Sequence, residues 1–121
     1  IESTVVIEES TYHDEGEPLM IAEQMPQFVG GTRGLLKFIS ENVVYPADAQ
    51  SEGVEGKVYV RFVLEKDGSI SNVKAFRKVD PRLDAEAIRV VKSMPKWVPG
   101  KQSGKAVRVY FTLPVVFQLG G

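Results

Sequence analysis

The sequence predicts an α+β domain of two layers, in which a three-stranded sheet carries two main helices on one face. Apolar residues alternate with other residues between residues 107 and 119, which is typical of a half-buried strand. A second alternation, from residue 58 to residue 75, contains an Asp-Gly pair and predicts a hairpin. Two helical patterns, one before each of these stretches, complete the order helix, hairpin, helix, strand. This order favours segregated helices packed on one face of the sheet.

The first helix is predicted over residues 32–42. Gly30 to Gly34, with the sequence GGTRG, precede it and are interpreted as a tight turn leading into the helix. A phosphate-binding loop is the alternative, but the stretch lacks the Lys-Ser/Thr pair of that motif. The apolar side of the helix is formed by Leu35, Leu36, Ile39 and Val43.

The second main helix is predicted to begin with Asp80 as its N-cap and Pro81 at its first position. Pro95 sets its end, because a proline disfavours helical geometry in the residue before it. Trp97, which follows, is expected to be buried against the sheet, and Tyr45 and Phe38 are also interpreted as packing residues. The apolar stripe of this helix is formed by Leu83, Ala87, Val90, Val91 and Met94.

The hairpin is predicted to turn at residues 67–68, the Asp-Gly pair, and to contain one irregularity. On its return strand Ile70 and Val73 are both expected to face the core, although strict alternation separates inward residues by two positions. An extra residue must therefore be accommodated between them. We expect a β-bulge near Ser71 or Asn72.

The last strand is predicted over residues 107–119, and it contains Pro114. Proline cannot donate a ladder hydrogen bond, so this strand must lie at an edge of the sheet. The right-handed crossover through the second helix then gives the strand order second–first–third. Along an antiparallel strand, the backbone N–H and C=O groups of successive residues point to opposite sides. The residues of the last strand therefore divide into an outward-facing set and a set that faces the first strand. Arg108, Tyr110 and Thr112 are expected to face outward with Pro114, and Val107, Val109, Phe111 and Leu113 to face the first strand.

Charge divides the chain into an acidic tail, residues 1–24, and a basic domain, residues 25–121. The tail has seven acidic residues and no Lys or Arg, whereas the domain has nine acidic and fifteen basic residues, a net charge of +6. Two short apolar runs in the tail leave open an extra N-terminal strand. The sequence begins at Ile1, and we interpret it as a fragment or a processed product, with any membrane anchor or export signal upstream.

Composition argues against several classes of chemistry. The chain has no cysteine and a single histidine, His13, so a thiolate site, a histidine-based triad or a zinc site is hard to assemble. Its Lys and Arg residues are dispersed, which does not favour nucleic-acid binding. We therefore predict no enzymatic activity, no cofactor and no metal.

Four segments together resemble the C-terminal domain of TonB energy transducers, in the form common in Bacteroidetes-type bacteria. They are PQFVGG, YPADAQSEGVEGKVYVRFVLEKDGSI, LDAEAIRVVKSMPKWVPG and GKAVRVYFTLPVVFQL. Each segment alone is weakly specific, but their order and spacing are specific to the family. The resemblance covers about residues 25–119.

The resemblance implies a periplasmic domain, anchored in the inner membrane by a segment absent from this sequence. Such a domain couples an ExbB/ExbD-type proton-motive complex to TonB-dependent outer-membrane receptors. The receptor's short TonB box adds as a strand to the last strand of the domain. The Tyr45-Pro46 turn lies nearby, and Val44 stands where well-known members have a contacting Gln. Carried over to this chain, the binding strand comprises Ala106, Val107, Arg108, Val109, Tyr110, Phe111 and Thr112.

Other roles remain open at this stage. Domains of this type also serve as scaffolds in envelope assemblies, or end membrane-bound metallopeptidase sensors. Peptidoglycan is a further candidate partner, and the open edge could form a homodimer, whereas no nucleic-acid partner is expected. The stretch ESTVVIEE, Glu2 to Glu9, itself resembles a TonB box. Our hypothesis is that the acidic tail, or the tail of a neighbouring molecule, occupies the open edge when no receptor is bound.

Overall fold

The computed structural model describes residues 16–120, and it confirms the α+β class. Within these residues the main helices and strands follow the predicted order, with one small hairpin added. The stretch YPADAQSEG, in which Pro46 predicts a short helix ending at Gly53, forms such a helix over Ala47–Ser51. The elements are α1 (Gly31–Asn42), α2 (Ala47–Ser51), β1 (Gly56–Leu64), β2 (Ile70–Arg77), α3 (Pro81–Lys92), β3 (Gly100–Gln102), β4 (Lys105–Val107) and β5 (Val109–Phe117).

The main sheet has β1 at its centre, in the order β2-β1-β5. Both neighbours run antiparallel to β1, so β2 and β5 are parallel to each other and are connected through α3. This arrangement confirms the predicted order second–first–third. β5 pairs with β1 over nine consecutive residues without a register shift, from Val109 opposite Leu64 to Phe117 opposite Gly56.

The core lies on one face of this sheet, as expected when alternate side chains of a strand point the same way. α3 packs across β1 and β2 on that face, and its predicted apolar stripe is buried. Leu35 is the buried residue of α1. β1 contributes Val58, Val60, Phe62 and Leu64 to the core, and β5 contributes Leu113, Val115 and Phe117.

Trp97 closes one end of the core, and its predicted burial is confirmed, since only 4% of the residue is exposed. Its ring meets three other rings in edge-to-face geometry, with centroids 5.4 Å from Phe28, 6.0 Å from Phe62 and 5.0 Å from Phe111. Such pairs add to the energy of apolar burial. Trp97 therefore joins the segment before α1 to the two adjacent strands β1 and β5.

The predicted bulge in the hairpin is present in β2. Arg61 lies opposite Lys74 and Val63 opposite Ser71, so two steps along β1 face three along β2. Asn72 takes up the extra position with φ of 50°, a left-handed conformation that Asn tolerates better than most residues. A second irregularity, between Tyr59 and Val60, was not predicted.

The turn before α1 confirms the structural interpretation of the GGTRG stretch. Gly30 and Gly31 have φ of 87° and 71°, which favour glycine. A Cβ at Gly34 would lie 2.3 Å from the carbonyl oxygen of Val29. The predicted N-cap of α3 is also confirmed, because Asp80 Oδ1 accepts the Arg82 amide hydrogen bond at 2.9 Å.

The prediction of one uninterrupted last strand is wrong at its beginning. Residues 105–107 form β4, which pairs with β3 in a separate hairpin, with Val107 opposite Gly100. The cause is the turn at Ser103 and Gly104, whose φ values of 52° and 78° suit a two-residue hairpin. The sequence of residues 96–105 predicts a loop without strands, and the structure corrects this prediction as well.

Residues 16–24 of the predicted tail lie against the domain. Leu19 forms a bridge to Val109, and Gln24 forms one to Lys101. The proposed division of the chain at residue 24 stays a prediction. His13 and the stretch Glu2 to Glu9 lie outside the described residues.

Candidate functional site

The outer edge of β5 is where the family resemblance implies that a partner strand is added. The Tyr110 N–H donates outward to the Leu19 carbonyl oxygen at 2.8 Å, and the Arg108 carbonyl oxygen accepts from the Leu19 N–H at 2.9 Å. Both groups therefore point away from β1, as predicted. By alternation the backbone groups of Thr112, Pro114 and Val116 point outward as well.

The half of this edge from Thr112 to Val116 is open. Within residues 16–120, no strand pairs with β5 on this side beyond the Leu19 bridge. Thr112 and Val116 each present an N–H and a C=O there, and Pro114 presents only its C=O. A row of unpaired backbone groups of this kind is a template for strand addition.

Arg108 is held at the start of the edge by an ion pair. Its Nε and Nη2 atoms donate to Glu65 Oε1 and Oε2 at 2.8 and 3.3 Å, and Ser71 also donates to Glu65 Oε2. The hydrogen bonds from Arg108 hold the pKa of Glu65 below its ordinary value. Because the guanidinium is positioned by this carboxylate, it can donate at the same time to a chain lying along the edge.

Tyr110 lies next to Arg108 on the same edge, and its ring faces a second cation. The Arg61 guanidinium lies 5.4 Å from the centroid of the Tyr110 ring and 4.3 Å from that of Phe76. The Tyr110 hydroxyl donates to Glu17 Oε2 at 2.6 Å, and this hydrogen bond raises the pKa of Tyr110. The edge thus carries side-chain donors beside its backbone groups.

A groove of about 590 Å³ runs beside the open half of the edge, between α1 and β5. Tyr45 lies in its wall and meets Phe117 edge to face at 5.4 Å. The Tyr45 hydroxyl donates to the Val54 carbonyl oxygen, which confirms a packing role. The apolar part of the groove is lined by Leu36, Ile39, Val43, Leu113, Pro114, Val116 and Phe117.

The residues predicted for the site are only partly brought together. Arg108 to Thr112 follow one edge, but Ala106 and Val107 belong to β4 and are paired with β3, which corrects the predicted single strand from Ala106 to Thr112. Val109 is fully buried, and its backbone faces β1. The Tyr45-Pro46 turn adjoins the far end of β5, beyond Thr112. Val44, whose side chain is exposed, donates its N–H to Glu86 Oε2 at 2.7 Å.

Three contacting residues were missed because each makes an isolated bridge. Leu19, Gln24 and Gln27 pair with Val109, Lys101 and Val98 respectively. A single bridging residue has no periodic pattern in sequence. The apolar run from Leu19 to Ala22 was the only signal, and it left a strand open without giving its partner.

Residues 16–120 contain no cluster of His, Cys, Asp and Glu that could hold a metal ion. No helix within this range is long and apolar enough to cross a membrane.

Comparison with known proteins gives a consistent result. Residues 41–119 match the family described as Gram-negative bacterial TonB protein C-terminal. The chain is 33% identical over 78 residues to Protein TonB of Pseudomonas aeruginosa and 29% identical over 82 residues to that of Helicobacter pylori. These matches cover 63% and 67% of this chain but only 22% and 27% of those relatives.

Solved structures agree with the sequence relatives. A solution structure of the Helicobacter pylori TonB C-terminal domain matches with a TM-score of 0.58 and 27% identity, covering 72% of this chain and 78% of that one. The Pseudomonas aeruginosa TonB C-terminal domain matches with a TM-score of 0.52 and 29% identity, covering 64% and 79%.

Proposed function

Because the chain belongs to the TonB C-terminal domain family, we propose that it is a periplasmic, non-enzymatic binding domain of an energy transducer. It binds a short extended segment of a TonB-dependent outer-membrane transporter, which adds as a strand along the outer edge of β5. An inner-membrane anchor and a proton-motive complex supply the energy through a part of the protein that this sequence does not include. The bound transporter uses this energy for active uptake.

The observation that supports this proposal best is the contrast between the two sides of β5. On the inner side β5 is paired with β1 over nine residues in one register. On the outer side Thr112 and Val116 offer backbone groups that no other residue of 16–120 pairs with, next to an apolar groove that can accept side chains of an added strand. Main-chain bonds and neighbouring pockets are the two requirements of strand addition.

The same geometry suits the transmission of force. Hydrogen bonds between antiparallel strands lie perpendicular to the strands. A pull along β5 therefore loads its bonds to β1 together rather than one after another. The regular register between β5 and β1 distributes the load over the whole strand.

The direct test is to titrate the domain with peptides of about fifteen residues, taken from the N-terminal segments of outer-membrane receptors of the same organism. The decisive variant is Thr112→Pro, which removes an outward N–H that has no partner within residues 16–120. One backbone bond contributes about 0.5–1.5 kcal/mol, so we expect peptide affinity to fall about 2- to 12-fold. Isothermal titration calorimetry measures this change.

Thr112→Val is the matched control, because it keeps the backbone N–H and changes only the exposed side chain. We expect Thr112→Val to bind the peptides as tightly as the unaltered domain does. We also expect both variants to have the same thermal midpoint as the unaltered domain. Equal affinity of the Thr112→Pro and Thr112→Val variants would place the partner away from this edge. Absence of binding by every form would remove the proposed receptor role.

A further inference from the structure

One half of the partner-binding edge is already covered by the chain itself. Leu19 lies parallel to β5 and makes two backbone hydrogen bonds, donating to Arg108 and accepting from Tyr110. These are the backbone groups that an added strand would use. The contact comes from residues 16–21, which we call the covering segment.

Side chains of the edge also hold the covering segment. The Tyr110 hydroxyl donates a hydrogen bond to the Glu17 carboxylate, and Arg108 Nη1 donates one to the Gly16 carbonyl oxygen at 3.0 Å. Arg108 makes this bond while it is paired with Glu65. The segment therefore engages both polar side chains at the beginning of the edge.

The residues that follow the covering segment are fixed more firmly. Gln24 and Lys101 exchange two backbone hydrogen bonds of 3.0 and 2.8 Å, and Gln27 and Val98 exchange two of 3.0 and 2.8 Å. Ala22, between the covering segment and these anchors, is buried. Four backbone bonds thus attach residues 24–27 beside the edge, independently of Leu19.

The covering segment itself contributes little to the core. Met20 and Ile21 are 60% and 78% exposed, and every core side chain of the described chain belongs to residues 22–117. Two backbone bonds and two polar contacts hold this segment, whereas the neighbouring anchor keeps it at a high local concentration. Such a contact can form readily and can also be displaced without unfolding the domain.

We propose that residues 16–21 are an intramolecular occupant of the outer edge of β5, which an incoming partner strand must displace. Occupancy follows from the contacts alone, and displacement rests on the proposed function. The covering segment lowers the fraction of molecules that are competent to bind, and so it lowers the apparent affinity for the partner. Removing it is expected to raise that affinity roughly 4- to 140-fold, the square of the range expected for one backbone hydrogen bond.

The test compares four proteins and one control variant. The four are the whole chain, a form lacking residues 1–15, a form lacking residues 1–21, and whole-chain Leu19→Pro. The first truncation removes five acidic residues but keeps the covering segment, so it controls for charge. The second also removes the segment and keeps Ala22 and the anchor. Leu19→Pro removes one of the two bonds without shortening the chain, and Leu19→Ala is its matched control.

The first measurement is amide hydrogen exchange at Tyr110, followed by NMR, which needs no partner. We expect Tyr110 to be protected in the whole chain and in the form lacking residues 1–15. It should exchange much faster in the form lacking residues 1–21, and Leu19→Pro should weaken its protection. Equal exchange in all four proteins would overturn the occupancy. Protection that increases with protein concentration would assign the segment to a neighbouring molecule and would also overturn it.

The second measurement titrates the receptor peptides described above. We expect the form lacking residues 1–21 to bind more tightly than the form lacking residues 1–15, with Leu19→Pro between them. Equal affinities would show that the partner binds without displacing the segment, so this proposal would fail while the receptor role would stand. If no form binds, the receptor role and the displacement both fail, and the exchange data alone decide the occupancy.

Discussion

The two edges of the main sheet differ in how regularly their strands pair with β1. β2 forms one edge and departs from regular pairing twice, at the bulge around Asn72 and again near Phe76. β5 forms the other and keeps one register with β1 along its whole length. Bulges bend and twist a strand, which makes its outer side a poor template for another strand.

The two edges also differ in charge, and this difference likewise makes β2 the poorer template for a further strand. β2 ends in exposed Arg77 and carries exposed Lys74, and long charged side chains at an edge oppose pairing with a further strand. On β5 the outward positions Thr112, Pro114 and Val116 are uncharged. On β5, pairing with a further strand is opposed instead by Pro114, which lacks an N–H donor, and by the covering segment. The features that oppose pairing at β2 are therefore part of the strand itself, whereas the covering segment at β5 can be displaced.

The largest expected effect tests how strongly β5 depends on the core. Trp97 packs on Phe111 of β5 and on Phe62 of β1, so Trp97→Ala leaves a cavity beneath both strands. We expect a loss of about 3–5 kcal/mol in the free energy of unfolding, measured by chemical denaturation. Phe76→Ala on β2 is the control, because that ring is 56% exposed and its loss should cost far less. Similar losses at both sites would contradict the assigned core.

The next effect separates the inner and outer sides of β5. Val109→Pro removes an inward donor and leaves a buried acceptor on Leu64 unpaired, which should cost about 1–3 kcal/mol in the free energy of unfolding. Tyr110→Pro removes only the outward bond to Leu19, so it should cost much less in the free energy of unfolding. Chemical denaturation of both variants checks this difference. Equal behaviour at the two positions would disprove the assigned register.

Much of this comparison was accessible from sequence, because it depends on alternation and on proline. Pro114 placed β5 at an edge and gave the direction of its backbone groups. The spacing between Ile70 and Val73 required the bulge in β2. Both inferences use strict local rules: proline has no N–H, and successive residues of a strand face opposite sides.

The missing parts depend on contacts that no local rule determines. The hairpin closed by Ser103 and Gly104 contains strands of only three residues, too short to show a period. Leu19 pairs with a residue ninety positions away through a single bridge, and its partner follows from tertiary packing alone. The candidate site was therefore predicted as a strand edge, and its occupation by the tail was a hypothesis, but neither the beginning of the site nor the residues that cover it were foreseen.

A smaller effect concerns the bulge that closes the β2 edge. Asn72 has φ of 50°, where a β-branched side chain is strongly disfavoured. We expect Asn72→Val to lower the free energy of unfolding by about 1–2 kcal/mol, whereas Asn72→Gly should have little effect. Chemical denaturation of the three proteins gives these differences. If Asn72→Val is neutral, the left-handed residue does not fix the bulge.

The smallest expected effect is the pH dependence of the ion pair at the start of the β5 edge. Hydrogen bonds from Arg108 lower the pKa of Glu65 in the folded protein below its ordinary value of 4.5. The pair therefore stabilises the fold above that value, and its contribution disappears as the pH falls through the lower, folded-state pKa. Both side chains are about a quarter exposed, so solvent screening should keep this contribution below about 1 kcal/mol.

Glu65→Gln should be slightly less stable than the unaltered chain at about pH 7 and should match it more closely at about pH 3. Denaturation at both pH values measures the difference, and Arg108→Gln should reproduce it if the ion pair is the cause. A constant difference between the proteins at both pH values would mean that Glu65 acts through packing rather than through its charge.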